Sequence, residues 1–271
     1  VGCRVFMVLE YVSGGDMLSY IQKNGPQSEL TCKAWFLQLA SAVEYLHRLS
    51  VAHRDLKLEN ILMDAKGRLK ICDFGFCKVV TESDPLSKTY CGSKAYSSPE
   101  ILQGLNYDPM RADVWSLGVI VFIMATSRMP FNENVPHQSQ IVECQRRRSY
   151  HYPTELALSD ALKEAIDYML TFDWKARPSI EDLSSNAWCR PMELVRPAVS
   201  SGSSSARKIT RPPPPSPVVV VVADPVGAAS AVTESGGGGK LIRTINNLRG
   251  KNKFQESKRQ RMVTPPAALH L

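Results

Sequence analysis

The 271 residues hold no uninterrupted apolar run near the ~18 positions a membrane-spanning helix needs, and the N-terminus lacks the basic, apolar, small-residue order of a secretory signal. A soluble chain is expected, with no membrane partner. No C-x-x-C spacing occurs among the seven cysteines, and their odd number argues against a disulfide framework. Zinc ribbons and redox couples drop out, and reduced thiols are expected in an intracellular protein, cytoplasmic with the nucleus as a second location. Aromatics make up only 8%, and the composition excludes collagen and coiled coil. Residues 1–189 are nearly balanced in charge, with 20 basic and 22 acidic side chains, net −2. Residues 190–271, with 13 basic and 4 acidic groups, carry +9, and this outweighs the −2 of the rest to give the net +7.

What is present is a pattern of helices with a few short strands. Val5-Phe6-Met7-Val8-Leu9 predicts a strand that stops at Ser13-Gly14-Gly15. Asp16 opens a short helix ended by Gly25-Pro26, and a longer helix is expected from near Thr31 to about His47, with Phe36, Leu39, Val43 and Leu46 on one face. Ile61–Met63 and Leu69–Ile71 flank Asp64-Ala65-Lys66-Gly67, a hairpin signal. Asp113–Met124 is apolar nearly all round and predicts a buried helix, another is expected after Ser159, and Ser179-Ile180-Glu181-Asp182 predicts a helix start. The fold class is α+β, mostly helical. Past Trp188 come a Ser/Gly stretch, Pro212–Pro215, Val218–Val222 and Gly236–Gly239, a composition that predicts disorder.

The densest chemical signal is His53-Arg54-Asp55-Leu56-Lys57-Leu58-Glu59-Asn60, followed by the hairpin and then Asp73-Phe74-Gly75. It matches H-R-D-L-x-x-x-N and D-F-G in order and spacing, with Ser98-Pro99-Glu100 downstream. Over roughly residues 1–189 the chain resembles a eukaryotic protein kinase of the serine/threonine type. Leu86–Tyr96 and Cys72–Lys78 look most like the testis-specific serine/threonine kinases. The resemblance implies a partial kinase domain over 1–189, made of a hinge, a C-lobe and one N-lobe strand, and a disordered basic tail over 190–271.

It also implies roles for particular residues. Asp55 is the expected base for a substrate hydroxyl, Lys57 the lysine that steadies the transferred phosphate, and Asn60 and Asp73 the oxygen ligands of Mg²⁺ beside ATP. Leu9–Val12, with Glu10 and Val12, resembles the adenine hinge after a gatekeeper Met7, and Leu62 lies under the purine. Asp16 falls where an acid meets the ribose or a substrate arginine, and Glu59 is a second such acid, so protein substrates with basic residues before the Ser/Thr are expected. Arg54 and Thr89 imply control by an upstream kinase at the activation loop. His53 and Phe74, Asp113, and the Glu100–Arg177 pair have structural roles in the family.

The pattern breaks at the N-terminus. No G-x-G-x-x-G, no V-A-x-K lysine and no glutamate-bearing helix precedes the hinge, so these 271 residues are expected to be inactive or severely impaired. The alternative is a non-catalytic kinase-like binding module or scaffold. Arg146–Arg148 is expected to be a solvated charge run, and His47 a surface or packing residue. The tail clusters Lys251–Lys253 and Lys258–Arg261 lack aromatic interleaving, so nucleic acid is not an expected partner.

Overall fold

The computed structural model describes residues 9–190. The tail beyond Arg190, the gatekeeper Met7 and the Val5–Leu9 strand, apart from Leu9, lie outside them. Among the described residues, 11–190 lie in one compact unit, and Leu9 and Glu10, both exposed, fall in another.

Helices dominate the described residues: α1 Met17–Asn24, α2 Glu29–Arg48, α3 Pro99–Leu102, α4 Pro109–Thr126, α5 Gln138–Arg146 and α6 Asp160–Met169. The strands are short. β1 Val51–Ala52 pairs with β4 Lys78–Val79, and β2 Ile61–Met63 pairs with β3 Leu69–Ile71, both antiparallel. The hairpin register sets Ile61 opposite Ile71 and Met63 opposite Leu69, so the alternate residues face the core while Leu62 and Lys70 sit half-buried.

Caps fix the helix starts. Asp16 Oδ1 accepts from Ser19 N (2.8 Å) to begin α1, and Gly25 ends it. The α2 helix begins two residues earlier than the expected Thr31, because Ser28 Oγ accepts from Thr31 N (3.2 Å) and takes the cap position. Asp108 caps α4 with Pro109 at the first helical position, and Ser159 caps α6. At Ser179 the expected helix is only a 310 turn, Asp182–Ser185, although Ser179 and Asp182 do exchange capping bonds (2.9 and 3.2 Å).

The core is built around α4. From Val114 to Thr126 every residue but Ser116 is buried, which explains an apolar helix long enough to suit a membrane yet enclosed by α2, α6 and β1. Gly118 permits the close approach of α6: a Cβ there would stand 2.9 Å from Met169 Cβ and from Leu170 Cδ2. Glu29, at the start of α2, accepts from Ser159 Oγ (2.6 Å) and Trp188 Nε1 (2.9 Å) and so binds the first helices to the last turn.

Candidate active site

The loop from His53 to Asn60 starts where β1 ends and stops where β2 begins. Arg54 adopts φ +66°, a left-handed conformation that strains a residue with a Cβ. Asp113, 1% exposed on α4, holds it there: Oδ2 accepts from His53 N and Oδ1 from Arg54 N, both at 2.8 Å. His47 Nε2 lies 2.9 Å from the same Asp113 carboxylate, so this histidine, expected to be a surface or packing residue, is a buried partner of the loop's anchor.

Asp55 is the hub of the loop. Its buried carboxylate receives Lys57 Nζ (3.0 Å) and Asn60 Nδ2 (3.2 Å) on Oδ2, and Ser93 N (3.0 Å) and Ser93 Oγ (3.3 Å) on Oδ1. Lys57 Nζ also donates to Ser93 Oγ at 2.9 Å, closing a small ring of polar contacts. Three of the sequence-predicted residues, Asp55, Lys57 and Asn60, are therefore brought together, with Ser93 as a fourth.

Asp73 arrives from the other side of the hairpin. Asn60 O accepts from Cys72 N (2.9 Å), which fastens the residue before Asp73 to Asn60. Asp73 is exposed, in left-handed backbone at φ +61°, and accepts from Gly75 N at 3.2 Å. With the Asn60 NH₂ group donating to Asp55 O and Oδ2, its Oδ1 is the atom left for a hard cation. No group of three His, Cys, Asp or Glu that could hold a metal occurs among the described residues. Two oxygen donors without a full cage fit Mg²⁺, which keeps water and phosphate oxygens as its other ligands.

His53 is fully buried and its ring meets Phe74 edge-on, centroids 5.0 Å apart. Nε2 donates to Cys72 O (3.1 Å) while Nδ1 accepts from Asp55 N (3.3 Å), which is the pattern of a neutral ring protonated on Nε2. Burial holds its pKa below the ordinary 6.5. Well above pH 6.5 the ring is neutral folded or unfolded; as the pH falls through that value the unfolded chain takes up a proton that the folded chain refuses, so stability falls. The urea midpoint is expected to drop between about pH 7.5 and pH 5.5, and His53→Phe to flatten that drop.

Asp16 and Leu62 are neighbours through an antiparallel bridge, reinforced by Gly14 N to Met63 O and Met63 N to Gly15 O, both 2.9 Å. The Asp16 carboxylate is lowered in pKa, first by the Ser19 backbone donor, and serves as the α1 cap. Val12 is half-buried and Glu10 exposed. Glu59 is exposed and accepts from Tyr96 Oη (3.3 Å), whose own pKa burial pushes up. Burial, then the charge of Asp73, raises the half-buried Cys72 thiol.

Arg54 and Thr89 are not joined. Arg54 donates to Phe76 O (2.6 Å) and Ser87 Oγ (3.2 Å), while Thr89 is exposed. Glu100 and Arg177 form the expected buried pair, two-pronged at 2.7 and 3.0 Å, with Arg177 also stacked on Trp115 at 5.0 Å. Arg146 ends α5 and Arg147 follows it, both pairing with Glu143, and Arg146 lies over the Phe172 ring at 4.7 Å.

Sequence reasoning missed Gly92. At φ +88°, a Cβ there would stand 2.7 Å from Arg54 O and 3.3 Å from Asp55 Oδ1, so only glycine lets Ser93 reach the carboxylate. A lone glycine among bulkier loop residues was the available signal. Gly92→Ala is expected to cost about 1–3 kcal/mol and to push Ser93 off Asp55, read as a lower denaturation midpoint.

A buried carboxylate that receives a lysine and an amide is an arrangement suited to phosphoryl transfer. Residues 3–189 match the family model of the protein kinase domain, and the chain belongs to that family. Testis-specific serine/threonine-protein kinase 3 of Mus musculus and that of Homo sapiens are each 38% identical over 187 residues, covering 68% of this chain and 68% of theirs. Testis-specific serine/threonine-protein kinase 1 of Mus musculus is 38% identical over 192 residues, 69% of this chain and 52% of the relative. The chain is a serine/threonine protein kinase of the testis-specific serine/threonine kinase family.

Proposed function

We propose that this site transfers the γ-phosphoryl group of ATP to Ser or Thr hydroxyls of proteins. The carrying observation is the convergence of Lys57, Asn60 and Ser93 on the single buried carboxylate of Asp55. Asp55 orients the acceptor hydroxyl and takes its proton as that oxygen bonds to the γ-phosphorus and the bond to the bridging oxygen breaks, leaving ADP. Lys57, already within reach of Ser93 and Asp55, steadies the negative charge of the moving group. Asn60 Oδ1 and the Asp73 carboxylate would hold Mg²⁺, which neutralises phosphate charge when bound. In this reading Leu9–Val12 is the hinge, the described helices form the C-lobe, and Leu62 with Asp16 borders the nucleotide. The acids Asp16 and Glu59 support a preference for basic residues ahead of the acceptor, and Thr89, being exposed, is open to an upstream kinase.

A Gly-rich loop and its lysine are not among the 271 residues, and the chain by itself is expected to transfer phosphate weakly. The test is transfer from labelled Mg-ATP to an arginine-containing Ser/Thr peptide, by this chain and by the chain fused to the N-terminal lobe of the mouse relative. Label from the fusion that Asp55→Asn abolishes supports the reading. A folded fusion that binds nucleotide yet labels nothing would leave a non-catalytic binding module instead.

A further inference from the structure

Gln145 stands on the buried face of α5, one turn after Ile141, where the pattern of Ile141 and Val142 would place an apolar side chain. It is 1% exposed, and a buried amide costs free energy unless both of its ends are bonded. Only one end is. Nε2 donates to Ser97 O at 3.0 Å, while Oε1 has no hydrogen-bond partner among the described residues. An apolar side chain would fill this place at no such cost, so the bond to Ser97 is what the glutamine supplies.

That bond is the first of three that lead inward. Ser97 Oγ donates to Ser93 O (3.1 Å), and Ser93 N donates to Asp55 Oδ1 (3.0 Å). Between the two serines the 310 turn Lys94–Tyr96 is braced from α4 by Ser116 Oγ, which donates to Tyr96 O (3.2 Å). The Ser93 hydroxyl also accepts from Lys57 Nζ (2.9 Å), so the same serine touches both groups that would act on the acceptor and the moving phosphate. A second glutamine of α5 offers a comparison within the molecule: Gln138 Nε2 donates to Leu102 O in α3, a bond that bypasses Ser97 and Ser93.

We propose that Gln145 is a positioning residue: by holding Ser97 O it sets Ser93, and through Ser93 the orientation of Asp55 and Lys57 toward the acceptor hydroxyl. The chain of bonds stands on geometry, while its effect on turnover rests on the kinase reading above.

The first readout needs no activity: amide hydrogen exchange at Ser93 in the full chain. Gln145→Met is expected to speed it about tenfold, the scale of one lost hydrogen bond, and Gln138→Met to leave it unchanged. Because Gln145→Met exchanges one orphaned acceptor, Gln145 Oε1, for another, Ser97 O, its urea midpoint is expected to stay close to the parent's. Ser97→Ala cuts the second bond, serves should Gln145→Met fold poorly, and should act in the same direction, with the double variant no faster than the faster single. Phosphate transfer by the lobe fusion gives the second readout: kcat for the peptide is expected to fall about tenfold in Gln145→Met with the KM for ATP unchanged. Ser93 exchange at the parent's rate in Gln145→Met, or equal acceleration by Gln138→Met, would overturn the proposal, and so would a kcat that falls only in step with a lowered urea midpoint. A parent fusion without transfer, in which Ser93 exchange still responds as expected, sinks the kinase reading alone. An active fusion with undiminished kcat in Gln145→Met sinks the positioning role alone.

Discussion

Exchanging Glu100 for Gln is expected to lower the unfolding free energy by about 3–5 kcal/mol, because it strands the Arg177 charge inside the protein. Arg177 is fully buried, and besides Glu100 it donates to Thr171 O (2.9 Å), Arg111 O (3.0 Å) and Phe172 O (3.3 Å). Those carbonyls satisfy its hydrogen bonds but not its charge. The loss is large against a whole-domain stability of about 5–15 kcal/mol. Arg177→Met should be similarly damaging, since it orphans Glu100 and removes the stacking on Trp115. The double variant Glu100→Gln with Arg177→Met is expected to recover part of the loss, because neither charge is then left alone. Denaturant midpoints for the four proteins decide it. A double variant as unstable as the sum of the singles would show that packing, and not charge pairing, dominates at this junction.

Asp55→Asn carries the second large effect, and it should leave the fold nearly intact. The amide fills the same volume and can still meet Lys57 or Ser93, yet it cannot take a proton from a hydroxyl. Phosphate transfer by the lobe fusion is expected to fall by about 10²–10⁴-fold, the usual contribution of a positioned base. The denaturant midpoint should move far less than in Glu100→Gln. Because Asn60 Nδ2 also donates to Asp55 O, a backbone acceptor, the loop keeps part of its bracing after the substitution.

Much of this site was legible in the sequence because its pieces are local. The eight residues from His53 to Asn60 set Asp55, Lys57 and Asn60 at fixed separations on one loop, and Asp64–Gly67 turns the chain back so that Asp73 returns beside them. The α1 and α6 helices followed from Asp16 with Gly25 and from Ser159, caps that act within three residues. At α2 two cap-forming residues, Ser28 and Thr31, compete in the same short stretch, and only the observed bond from Thr31 N to Ser28 Oγ decides between them.

What stayed hidden depends on contacts between distant residues. His47 and Asp113 stand 66 positions apart, and nothing in the local pattern around His47 announces a carboxylate partner. The β1–β4 pairing uses two residues a side, too few for an alternating pattern. The Ser87–Tyr107 bridge and the requirement for glycine at 92 arise from how the activation segment lies over the catalytic loop. The α5 helix, with three buried residues among nine, has too narrow an apolar face to stand out beside its arginines.

The most direct measurement is phosphate transfer by the lobe fusion to four peptides that share one basic sequence and differ only in the acceptor: Ser, Thr, Tyr or Ala. A protein serine/threonine kinase working through Asp55 should label Ser and Thr, leave Ala unlabelled and Tyr nearly so, and lose its label with Asp55→Asn. Label confined to Tyr, or equal labelling with Asp55 and with Asn at that position, would contradict it.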